Sequence, residues 1–391
     1  MVIQSALTFP WLGQTKTWLF NQLHFLPPDI ESHVVCERTE NLDQFAVPHL
    51  HALVASSDDG GGWRWQAYRG LIKLGLRPGL QRRFLTQMAH THHATVLHSH
   101  FGNAAWRNLA AAKAAGLRHV VTFYGYDVNM LPQQEPAWRT RYAELFAEVD
   151  AVLCEGSYMG QSIAALGCPA AKIHVHHLGI DVDSIAFRPR RHPGKAALRV
   201  LLAASFTEKK GFPYALEALG RFQHEHPVAI TIIGDAGAEL RQQQEKARIL
   251  AVLARHGLDG KARLLGYQPY PVIFQEAYNH HLFMAPSVTA QDGDTEGGAP
   301  VTIIEMAATG MQLIATTHCD IPAVIAHGEA GLLAPERDVD GLLAQLQRLV
   351  ADDQAAWDAR AHAARQHVEA EYAAPRQGAR LAAIYRRLAE R

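Results

Sequence analysis

The sequence predicts an α/β protein with two doubly wound parallel sheets, and three observations predict this class. Short apolar runs rich in β-branched residues alternate with longer helical patterns, as parallel strands alternate with the helices that connect them. The alternation restarts after the polar segment 188–195, which contains two prolines and one glycine and has the composition of a linker. At 391 residues, the chain is long enough for two domains with a core each.

Strands are predicted on both sides of this linker. Those before it span residues 3–9, 33–37, 95–100, 119–124, 151–155 and 172–176. Those after it span residues 199–204, 229–234, 262–265, 281–285 and 312–316. The Ala-rich runs 103–115 and 352–391 have helical periodicity. We therefore predict a first domain over 1–187, a second over 188–374 across a cleft from the first, and a C-terminal helix over 375–391 that packs back on the first domain.

Composition and charge narrow the class of protein. Hydrophobic residues make up 48% of the chain and charged residues 19%, so each domain can bury a core of ordinary size. The formal net charge of −1 argues against a nucleic-acid partner, whose phosphates would need an excess of Lys and Arg. The four cysteines are widely spaced without a CxxC pair, which argues against a disulfide framework or a zinc site. We see no signal peptide and no apolar run of about 18 residues, so we expect a cytoplasmic protein.

The stretch 292–310 carries the clearest ligand-binding pattern. Gly297 and Gly298 let the backbone approach a ligand closely, and Pro300 suits the first turn of the helix that follows. The free N–H groups at the start of that helix form an anion site. Glu305 lies on the same helix, where its carboxylate can accept two hydrogen bonds from a ribose diol. The predicted ligand contacts at the helix start are Gly297, Gly298, Ala299, Pro300, Val301 and Thr302.

This stretch resembles the Glu-x7-Glu signature of the retaining glycosyltransferases of family 4, whose GT-B fold consists of two Rossmann-like domains facing across a cleft. The resemblance implies that Glu296 contacts the donor sugar and that Glu305 holds the ribose of a nucleoside diphosphate. The spacing here is Glu-x8-Glu, and an extra loop residue before Pro300 would explain the difference. Asp292 and Asp294 form a DxD pair that either holds Mg²⁺ or belongs to an exposed acidic loop, and the resemblance argues against the metal.

The segment 205–211 follows a predicted strand and opens a helix, a place from which a lysine can reach a diphosphate and stabilise the departing charge. It resembles the family pattern Gly-Arg-x-x-x-Lys-Lys-Gly, which implies that Lys210 binds the diphosphate and that Ser205 replaces the family arginine. Gly234 and Tyr267 follow the next two predicted strands, at the edge that faces ligands in open α/β sheets. The resemblance implies that Tyr267 meets the nucleobase.

In the first domain, the segment 122–127 resembles the family block Thr-Phe-His-Gly-x-Asp, which lies beside the acceptor and the reacting carbon. Tyr124 replaces the histidine of that block, and Asp127 is retained. The tyrosine hydroxyl group can still form hydrogen bonds but does not titrate near neutral pH. We therefore expect that the reaction needs no imidazole base at this position. This is compatible with front-face transfer, in which the leaving phosphate accepts the proton of the acceptor.

His98 and His100 end another predicted strand of the first domain, and Gly102 follows them. The two imidazoles lie on one face of the strand. They either ligate a metal or share that face by chance in a chain with 23 histidines. No third residue has a spacing that is typical of a metal ligand. We place His100 and Gly102 on the acceptor side and expect no metal. Gly13 opens the segment 13–18, which resembles the loop that closes over the donor phosphates in the family.

The segment 63–88 is rich in basic and amphipathic residues. It carries six basic residues, no acidic residue, and the aromatic residues Trp63, Trp65 and Tyr68. It either lies on an anionic membrane surface near a lipid-linked acceptor or forms a pair of helices whose apolar face belongs to the core. Pro78 is expected to break it into two helices.

We therefore predict a retaining glycosyltransferase that moves a sugar from a UDP- or GDP-linked donor to a saccharide or lipid-linked oligosaccharide in polysaccharide assembly. The residues expected to act in catalysis are Glu296, Lys210, Asp127 and Tyr124. The nucleotide sugar is a co-substrate, and we expect neither a cofactor nor a metal, in a protein of the cytoplasm or of the inner membrane face. Two alternatives stay open: a sugar-nucleotide epimerase, which would need clustered acid–base groups around the sugar, and a non-catalytic nucleotide-binding subunit.

Overall fold

The chain divides into two compact units in this computed structural model. The first consists of Met1–Gly179 together with Ala374–Arg391, and the second is the continuous segment Ile180–Ala373. The structure describes residues 1–7, 9–13, 16–54 and 63–390, with only the backbone of Trp63 and Arg64. The parts of our predictions that fall outside the described residues concern Thr8, Gln14, Thr15 and Arg391.

The described part of the first unit contains one parallel sheet. Its strands are β1 Val2–Ala6, β2 Ser32–Cys36, β3 Leu50–Ala52, β4 Val96–His100, β5 Arg118–Thr122, β6 Ala151–Cys154 and β7 Ile173–Val175. They pair in parallel in the order β3-β2-β1-β4-β5-β6-β7. The sequence does not predict β3, whose residues Leu-His-Ala include no β-branched side chain.

Helices connect these strands along the chain, except between β2 and β3, which are joined by a loop. Those before residue 180 are α1 Thr17–His24, α2 Trp63–Lys73, α3 Arg77–Thr91, α4 Gly102–Ala114, α5 Leu131–Gln134, α6 Ala137–Glu148 and α7 Ser157–Ala165. The break between α2 and α3 falls at residues 74–76, and Pro78 lies in the first turn of α3. The expected break at Pro78 is therefore wrong by a few residues. The first turn of a helix tolerates proline because the N–H group that proline lacks would have no partner there.

Strands and helices alternate in the second unit except at its end, where one helix directly follows another. The strands are β8 Leu198–Ala203, β9 Val228–Ile233, β10 Ala262–Leu264, β11 Leu282–Ala285, β12 Gln312–Thr316 and β13 Leu332–Ala334. The helices are α8 Phe212–Phe222, α9 Leu240–Arg255, α10 Tyr270–Asn279, α11 Val301–Ala308, α12 Ile321–Val324, α13 Val339–Ala351 and α14 Gln354–Glu371. The strands pair in parallel in the order β10-β9-β8-β11-β12-β13. The two parallel sheets confirm the predicted α/β class.

Helices cover both faces of the second sheet, as alternate side chains of β8 demonstrate. Leu198, Val200 and Leu202 belong to a core that includes side chains of α8, α9 and α13. Leu201 and Ala203, on the opposite face, share a core with α11 and α14. Strands buried on both faces are nearly continuous apolar runs, which is why the sequence predicts this strand well. With both faces covered, ligands have access at the loops that follow the carboxyl ends of the strands.

The last helix, α15 Ala374–Ala389, belongs to the first unit. Tyr385 of this helix is buried, and its hydroxyl accepts a hydrogen bond from Gln4 Nε2 at 2.9 Å. The same hydroxyl lies 2.6 Å from His98 Nδ1. The chain leaves the first unit at Gly179, earlier than the boundary at 187 that the linker predicts, and returns to it with α15.

Candidate functional site

The loop between β8 and α8 brings Lys210 to the carboxyl edge of the second sheet. The loop turns through a short 3-10 segment, Glu208–Lys210, and ends at Gly211, whose φ of 64° lies in the left-handed region. A Cβ atom at residue 211 would lie closer than 3.0 Å to the carbonyl oxygen of Pro286, so only glycine fits between the two loops. This close approach places Lys210 beside the residues that follow β11.

Glu296 lies in the loop between β11 and α11 and is enclosed by polar partners. Lys210 Nζ donates to Glu296 Oε2 at 2.7 Å, and Ser287 Oγ donates to Oε1 at 2.8 Å. The side chain of Glu296 is only 6% exposed. Burial alone would raise its pKa, but the charges of Lys210 and Lys209 and the hydrogen bonds outweigh burial, and the pKa is lowered. Glu296 is therefore ionised at neutral pH and keeps lone pairs for further donors.

His318 holds the backbone of Glu296 in place. Its Nε2 accepts the backbone N–H of Glu296 at 3.1 Å, so the proton of the neutral ring is on Nδ1. Nδ1 donates to Glu336 Oε1 at 2.6 Å, and Glu336 also accepts the backbone N–H of Thr289 at 2.7 Å. The sequence does not predict this role, because His318 matches no motif. Its place just after β12, at the carboxyl edge of a parallel sheet, is the signal that could have found it.

Asp292 and Asp294, the two residues of the DxD pair, each form an ion pair with a basic side chain. Lys209 Nζ lies 3.0 Å from Asp294 Oδ2 and donates to the carbonyl oxygen of Thr295 at 3.0 Å. Arg241 of α9 forms an ion pair with Asp292. These ion pairs tie the acidic loop to the 3-10 segment on one side and to α9 on the other.

Glu305 lies in the second turn of α11, which begins at Val301, one residue after Pro300. Tyr270, at the start of α10, donates its hydroxyl to Glu305 Oε1 at 2.7 Å. Burial raises the pKa of Glu305 to about 7, although the hydrogen bond from Tyr270 acts in the opposite direction. The charge of Glu305 therefore changes near neutral pH. The sequence does not predict the contact with Tyr270, which lies 35 residues away along the chain.

Three further residues predicted at the donor site follow neighbouring strands of the second sheet. Gly234, after β9, donates its N–H to the carbonyl oxygen of Gly266, after β10, at 2.8 Å. Tyr267 is 57% exposed, and its hydroxyl donates to the carbonyl oxygen of Asp235 at 2.8 Å. A Cβ atom at residue 234 would clash with the carbonyl oxygen of the residue before Ser205. The structure thus brings Ser205, Gly234 and Tyr267 to one edge of the sheet.

A small pocket of the second unit lies beside these loops. Four of the predicted donor residues line it, namely Lys210, Glu296, Pro300 and Thr302. Ser287, in the loop that follows β11, lines it as well. The other lining residues are Ala203, Ala204, Phe212, Phe283, Met284, Ala285 and Ile303. Ser205, Gly234, Tyr267 and Glu305, which are also predicted at the donor site, do not line this pocket.

In the first unit, Asp127 holds together the loops that follow β4 and β5. Its Oδ2 accepts the N–H of Gly102 at 2.6 Å, and its Oδ1 accepts the N–H of Tyr124 at 2.9 Å. Asp127 is 0% exposed, and burial raises its pKa to about 6 against the effect of these amide hydrogen bonds. Asp127 therefore positions Gly102 and Tyr124 through their backbones.

Tyr124 and His100 belong to a buried hydrogen-bond chain that continues through Gln4 to Tyr385 and His98. Tyr124 Oη lies 2.7 Å from His100 Nδ1, and His100 Nε2 lies 3.1 Å from Gln4 Oε1. Both ring nitrogens of His98 have partners at 2.6 Å, one of them the hydroxyl of Tyr385. The two imidazoles share one strand face, as the sequence predicts, with ring centroids 4.4 Å apart. Their nitrogens serve this hydrogen-bond chain.

Gly13 lies just before α1, in the segment that the sequence places at the donor phosphates. Its carbonyl oxygen accepts the backbone N–H of Lys16 at 3.0 Å. A Cβ atom at residue 13 would meet nothing within 4 Å. Packing within the described residues therefore does not require glycine at this position.

The basic segment that contains α2 and α3 is partly engaged inside the first unit. Arg77 Nη2 and Nε donate to the carboxylate of Glu37 at 2.6 and 2.8 Å, and Tyr68 Oη donates to the same carboxylate at 2.5 Å. Leu74 and Leu76, between the two helices, are 73% and 49% exposed. Among the described residues, no helix combines the length and the apolar character that crossing a membrane requires.

Both halves of the chain match known family models. Residues 197–352 match the model described as Glycosyl transferases group 1, and residues 24–184 match the model described as Glycosyltransferase Family 4. The first match contains all the donor-site residues of the second unit described above. The second match contains Tyr124 and Asp127.

Relatives and solved structures agree with these matches. The amylovoran biosynthesis glycosyltransferase AmsK of Erwinia amylovora is 32% identical over 257 residues, which cover 65% of this chain and 60% of that protein. The putative colanic acid biosynthesis glycosyltransferase WcaL of Escherichia coli is 30% identical over 278 residues, which cover 68% of this chain and 64% of that protein. The chain thus spans less than two thirds of the length of either relative. The structure of HepE from Anabaena in complex with UDP has a TM-score of 0.76 and 16% identity over 98% of both chains, which shows a common fold.

Proposed function

This chain belongs to the glycosyltransferases, with a family 4 domain in its first half and a group 1 domain in its second, and on this premise we propose that it transfers a sugar. The donor is a UDP- or GDP-linked sugar, and the acceptor is a hydroxyl group of a saccharide or lipid-linked oligosaccharide. The observation that carries the proposal is the meeting of Lys210, Ser287 and Glu296 in one pocket beside the start of α11. Relatives named for amylovoran and colanic acid biosynthesis, and a fold neighbour solved with UDP, support it.

Lys210 binds the diphosphate of the donor in this proposal. Its ammonium group has three N–H donors and uses one for Glu296, at 2.7 Å, so two are left for phosphate oxygens. The ion pair holds Nζ in the pocket before the donor arrives, which limits the reorganisation that the reaction requires. When the bond between sugar and phosphate breaks, this charge and the N–H groups at the start of α11 stabilise the departing diphosphate.

Two carboxylates hold the rest of the donor. Glu296, kept ionised by the charges of Lys210 and Lys209, accepts hydrogen bonds from hydroxyl groups of the sugar. Glu305 accepts hydrogen bonds from the ribose diol, and its contact with Tyr270 at 2.7 Å fixes the direction of the carboxylate. Because protonation near pH 7 turns one acceptor of Glu305 into a donor, the ionised form binds the diol better.

The first unit binds the acceptor near Tyr124, Gly102 and His100. Asp127 acts there as a positioning residue, since both of its oxygens accept backbone N–H groups and its side chain is fully buried. The transfer retains the configuration at the anomeric carbon, with the leaving phosphate as the base that takes the proton of the acceptor. A base at Tyr124 is then not needed.

A lipid-linked acceptor brings the protein to a membrane surface. The basic segment offers the exposed side chains of Arg69 and Lys73 close in sequence to the exposed Leu74 and Leu76. This combination gives charge for anionic headgroups and apolar area for the boundary of the acyl chains. Contact of this segment with an anionic membrane is therefore part of the proposal.

Thermal unfolding of the purified protein with a panel of nucleotides and nucleotide sugars tests the proposal first. A ligand at about 100 times its Kd is expected to add roughly 2.7 kcal/mol to the free energy of unfolding. We expect one UDP- or GDP-sugar to stabilise the protein, and the same sugar to be transferred to an acceptor in the presence of EDTA. Stabilisation by no nucleotide would contradict the proposal. Conversion of the nucleotide sugar without an acceptor would indicate an epimerase, and binding without turnover would indicate a non-catalytic subunit.

Glu305→Gln is expected to stabilise the free protein above pH 7 and to weaken donor binding. The pKa of Glu305 is about 7 in the folded protein and 4.5 in an unperturbed glutamate, so the folded state binds more protons between these values. Stability therefore falls as the pH rises from 4.5 to 7. Burial of the ionised carboxylate of Glu305 lowers the free energy of unfolding by about 3 kcal/mol above this pH range and has no such effect below it. Chemical denaturation of both proteins on either side of the range measures the difference.

Glu329→Gln, which changes an exposed carboxylate of the same unit, is the matched control. It should alter the free energy of unfolding by the same small amount at both pH values. A stabilisation by Glu305→Gln that does not depend on pH would contradict a raised pKa at Glu305. Unchanged affinity for the nucleotide sugar would contradict its contact with the ribose.

A further inference from the structure

Four histidines from three segments of the first unit meet at the amino ends of β2 and β3. His33 belongs to β2, His49 and His51 lie just before and within β3, and His92 directly follows α3. The ring centroid of His33 lies 4.2 Å from that of His92, 4.4 Å from that of His49 and 5.2 Å from that of His51. These four residues are called the histidine cluster below.

The register of the sheet and the end of α3 bring the histidine cluster together. Val35 lies opposite His51 in the parallel pairing of β2 with β3. His33, two residues before Val35, therefore projects from the same face of the sheet as His51. Side chains of α3 share a core with Val35 on that face. His92, the residue after this helix, consequently reaches the two strand histidines.

Three nitrogens of the cluster are close enough to bind one metal ion. One nitrogen from each of His33, His51 and His92 lies within 4.8 Å of the other two, and His33 Nδ1 is 2.9 Å from His51 Nε2. Two nitrogens bound to the same tetrahedral Zn²⁺ at about 2.1 Å are roughly 3.4 Å apart, so side-chain shifts of about 1 Å bring all three to the metal. His33 is buried and the other two are half-buried, which leaves access for an ion and for a water as fourth ligand.

Glu31 supports His33 from the other side of its ring. Glu31 Oε1 lies 2.9 Å from His33 Nε2, the nitrogen that does not face His51. With its proton on Nε2 and donated to this carboxylate, His33 presents the lone pair of Nδ1 to the cluster. A carboxylate in this place fixes the tautomer of a metal-binding imidazole and makes its other nitrogen a better ligand.

We propose that His33, His51 and His92 bind one divalent transition-metal ion of the class formed by Zn²⁺, Ni²⁺, Cu²⁺ and Co²⁺. Three imidazoles favour these ions over Mg²⁺ and Ca²⁺, which prefer oxygen ligands. The bound ion joins two neighbouring strands to the end of α3 and stabilises the edge strand β3, which has three residues. Metal binding and unfolding test this site independently of any sugar transfer.

Titration of the full chain with Co²⁺, without a polyhistidine tag and after treatment with a chelator, tests the proposal. Tetrahedral Co²⁺ has a visible absorption band, and we expect this band to saturate at one equivalent and to be displaced by Zn²⁺. His51→Gln and His92→Gln should each abolish the band or weaken Co²⁺ binding by at least roughly tenfold, and Glu31→Gln by roughly tenfold to a hundredfold. His90→Gln changes an exposed histidine of α3 and should bind Co²⁺ like the parent protein.

The Tm provides a second readout that separates the loss of a ligand from misfolding. Zn²⁺ should raise the Tm of the parent protein and of His90→Gln, and EDTA should reverse this increase. In His51→Gln and His92→Gln, the Tm should be the same with and without Zn²⁺. A parent protein without the Co²⁺ band would overturn the proposal, as would a band and a Tm increase that both substitutions leave intact.

Discussion

Lys210→Met is expected to lower kcat/KM for sugar transfer on the order of 10²–10³-fold, the effect of removing one preorganised group that stabilises developing charge. In the proposed function, Lys210 supplies the positive charge beside the departing diphosphate. Its ion pair with Glu296 at 2.7 Å holds this charge in place. Methionine keeps most of the side-chain volume without the charge, so the pocket keeps its shape. Steady-state kinetics with the nucleotide sugar that binds best measures the loss.

The same substitution is expected to destabilise the protein, because it leaves a buried carboxylate without its nearest cation. Breaking a buried ion pair costs about 3–5 kcal/mol, and the 20% exposure of the Lys210 side chain places this pair at the lower end. The double variant Lys210→Met/Glu296→Gln removes both charges and should recover most of the stability but none of the transfer. Recovery of transfer in the double variant would show that the two residues form a structural pair only.

Gly211→Ala is expected to lower the free energy of unfolding by at least about 3 kcal/mol, whereas Gly257→Ala should cost about 1–2 kcal/mol. The two glycines have φ values of 64° and 60°, so alanine meets the same left-handed penalty at both. They differ in the space around them. A Cβ atom at residue 257 would meet nothing within 4 Å, whereas one at residue 211 would clash with the carbonyl oxygen of Pro286. Urea unfolding of the two variants separates the clash from the backbone penalty.

The clash at residue 211 is also expected to displace residues of the candidate site. Relief requires the loop of Lys210 to move away from the loop that carries Ser287, so Gly211→Ala should weaken donor binding even where it is fully folded. Gly257→Ala should leave donor binding unchanged. If both variants lost the same stability, the two loops would not be packed as closely as the structure describes.

The strands of the second sheet could be predicted from sequence where burial on both faces makes them continuous apolar runs. Residues 198–203 and 312–316 have this character, and each forms a strand at or within one residue of the expected bounds. Strands β3 and β13 are absent from the predicted set, although β7 and β10, which also have three residues, lie within predicted strands. A strand of three residues is therefore recognised from the local sequence in some cases and missed in others.

Glu296 and Glu305 could be singled out because they stand in a local pattern of glycines and a helix start. Apart from Lys210, which stands in a pattern of its own, their partners could not be singled out. Ser287 and His318 are 9 and 22 residues from Glu296, and Tyr270 is 35 residues from Glu305. These contacts depend on which strands become neighbours, as β11 does with β8 and β12. The order of strands in a sheet is a property of the whole chain, which no local spacing reports.

The histidines also show the difference between contacts that local spacing predicts and contacts that depend on the order of strands in the sheet. His98 and His100 stand two apart, and their spacing alone predicts a shared strand face, where they join a hydrogen-bond chain. His33 and His51 are 18 residues apart, and neither has a spacing that predicts their contact. They meet because β2 and β3 are neighbours in the sheet.

The second unit is inserted within the first, and this arrangement has a consequence for biosynthesis. As the chain leaves the ribosome, residues 1–179 emerge before the second unit, but α15, which completes their core, emerges after it. Until α15 has been made, Gln4 and His98 lack the hydroxyl of Tyr385. The second unit is continuous and can fold as soon as it has emerged. The first unit is therefore begun first and finished last. In a nascent chain stalled before residue 374, the side chains of the first sheet that α15 covers would be exposed to chaperones and proteases.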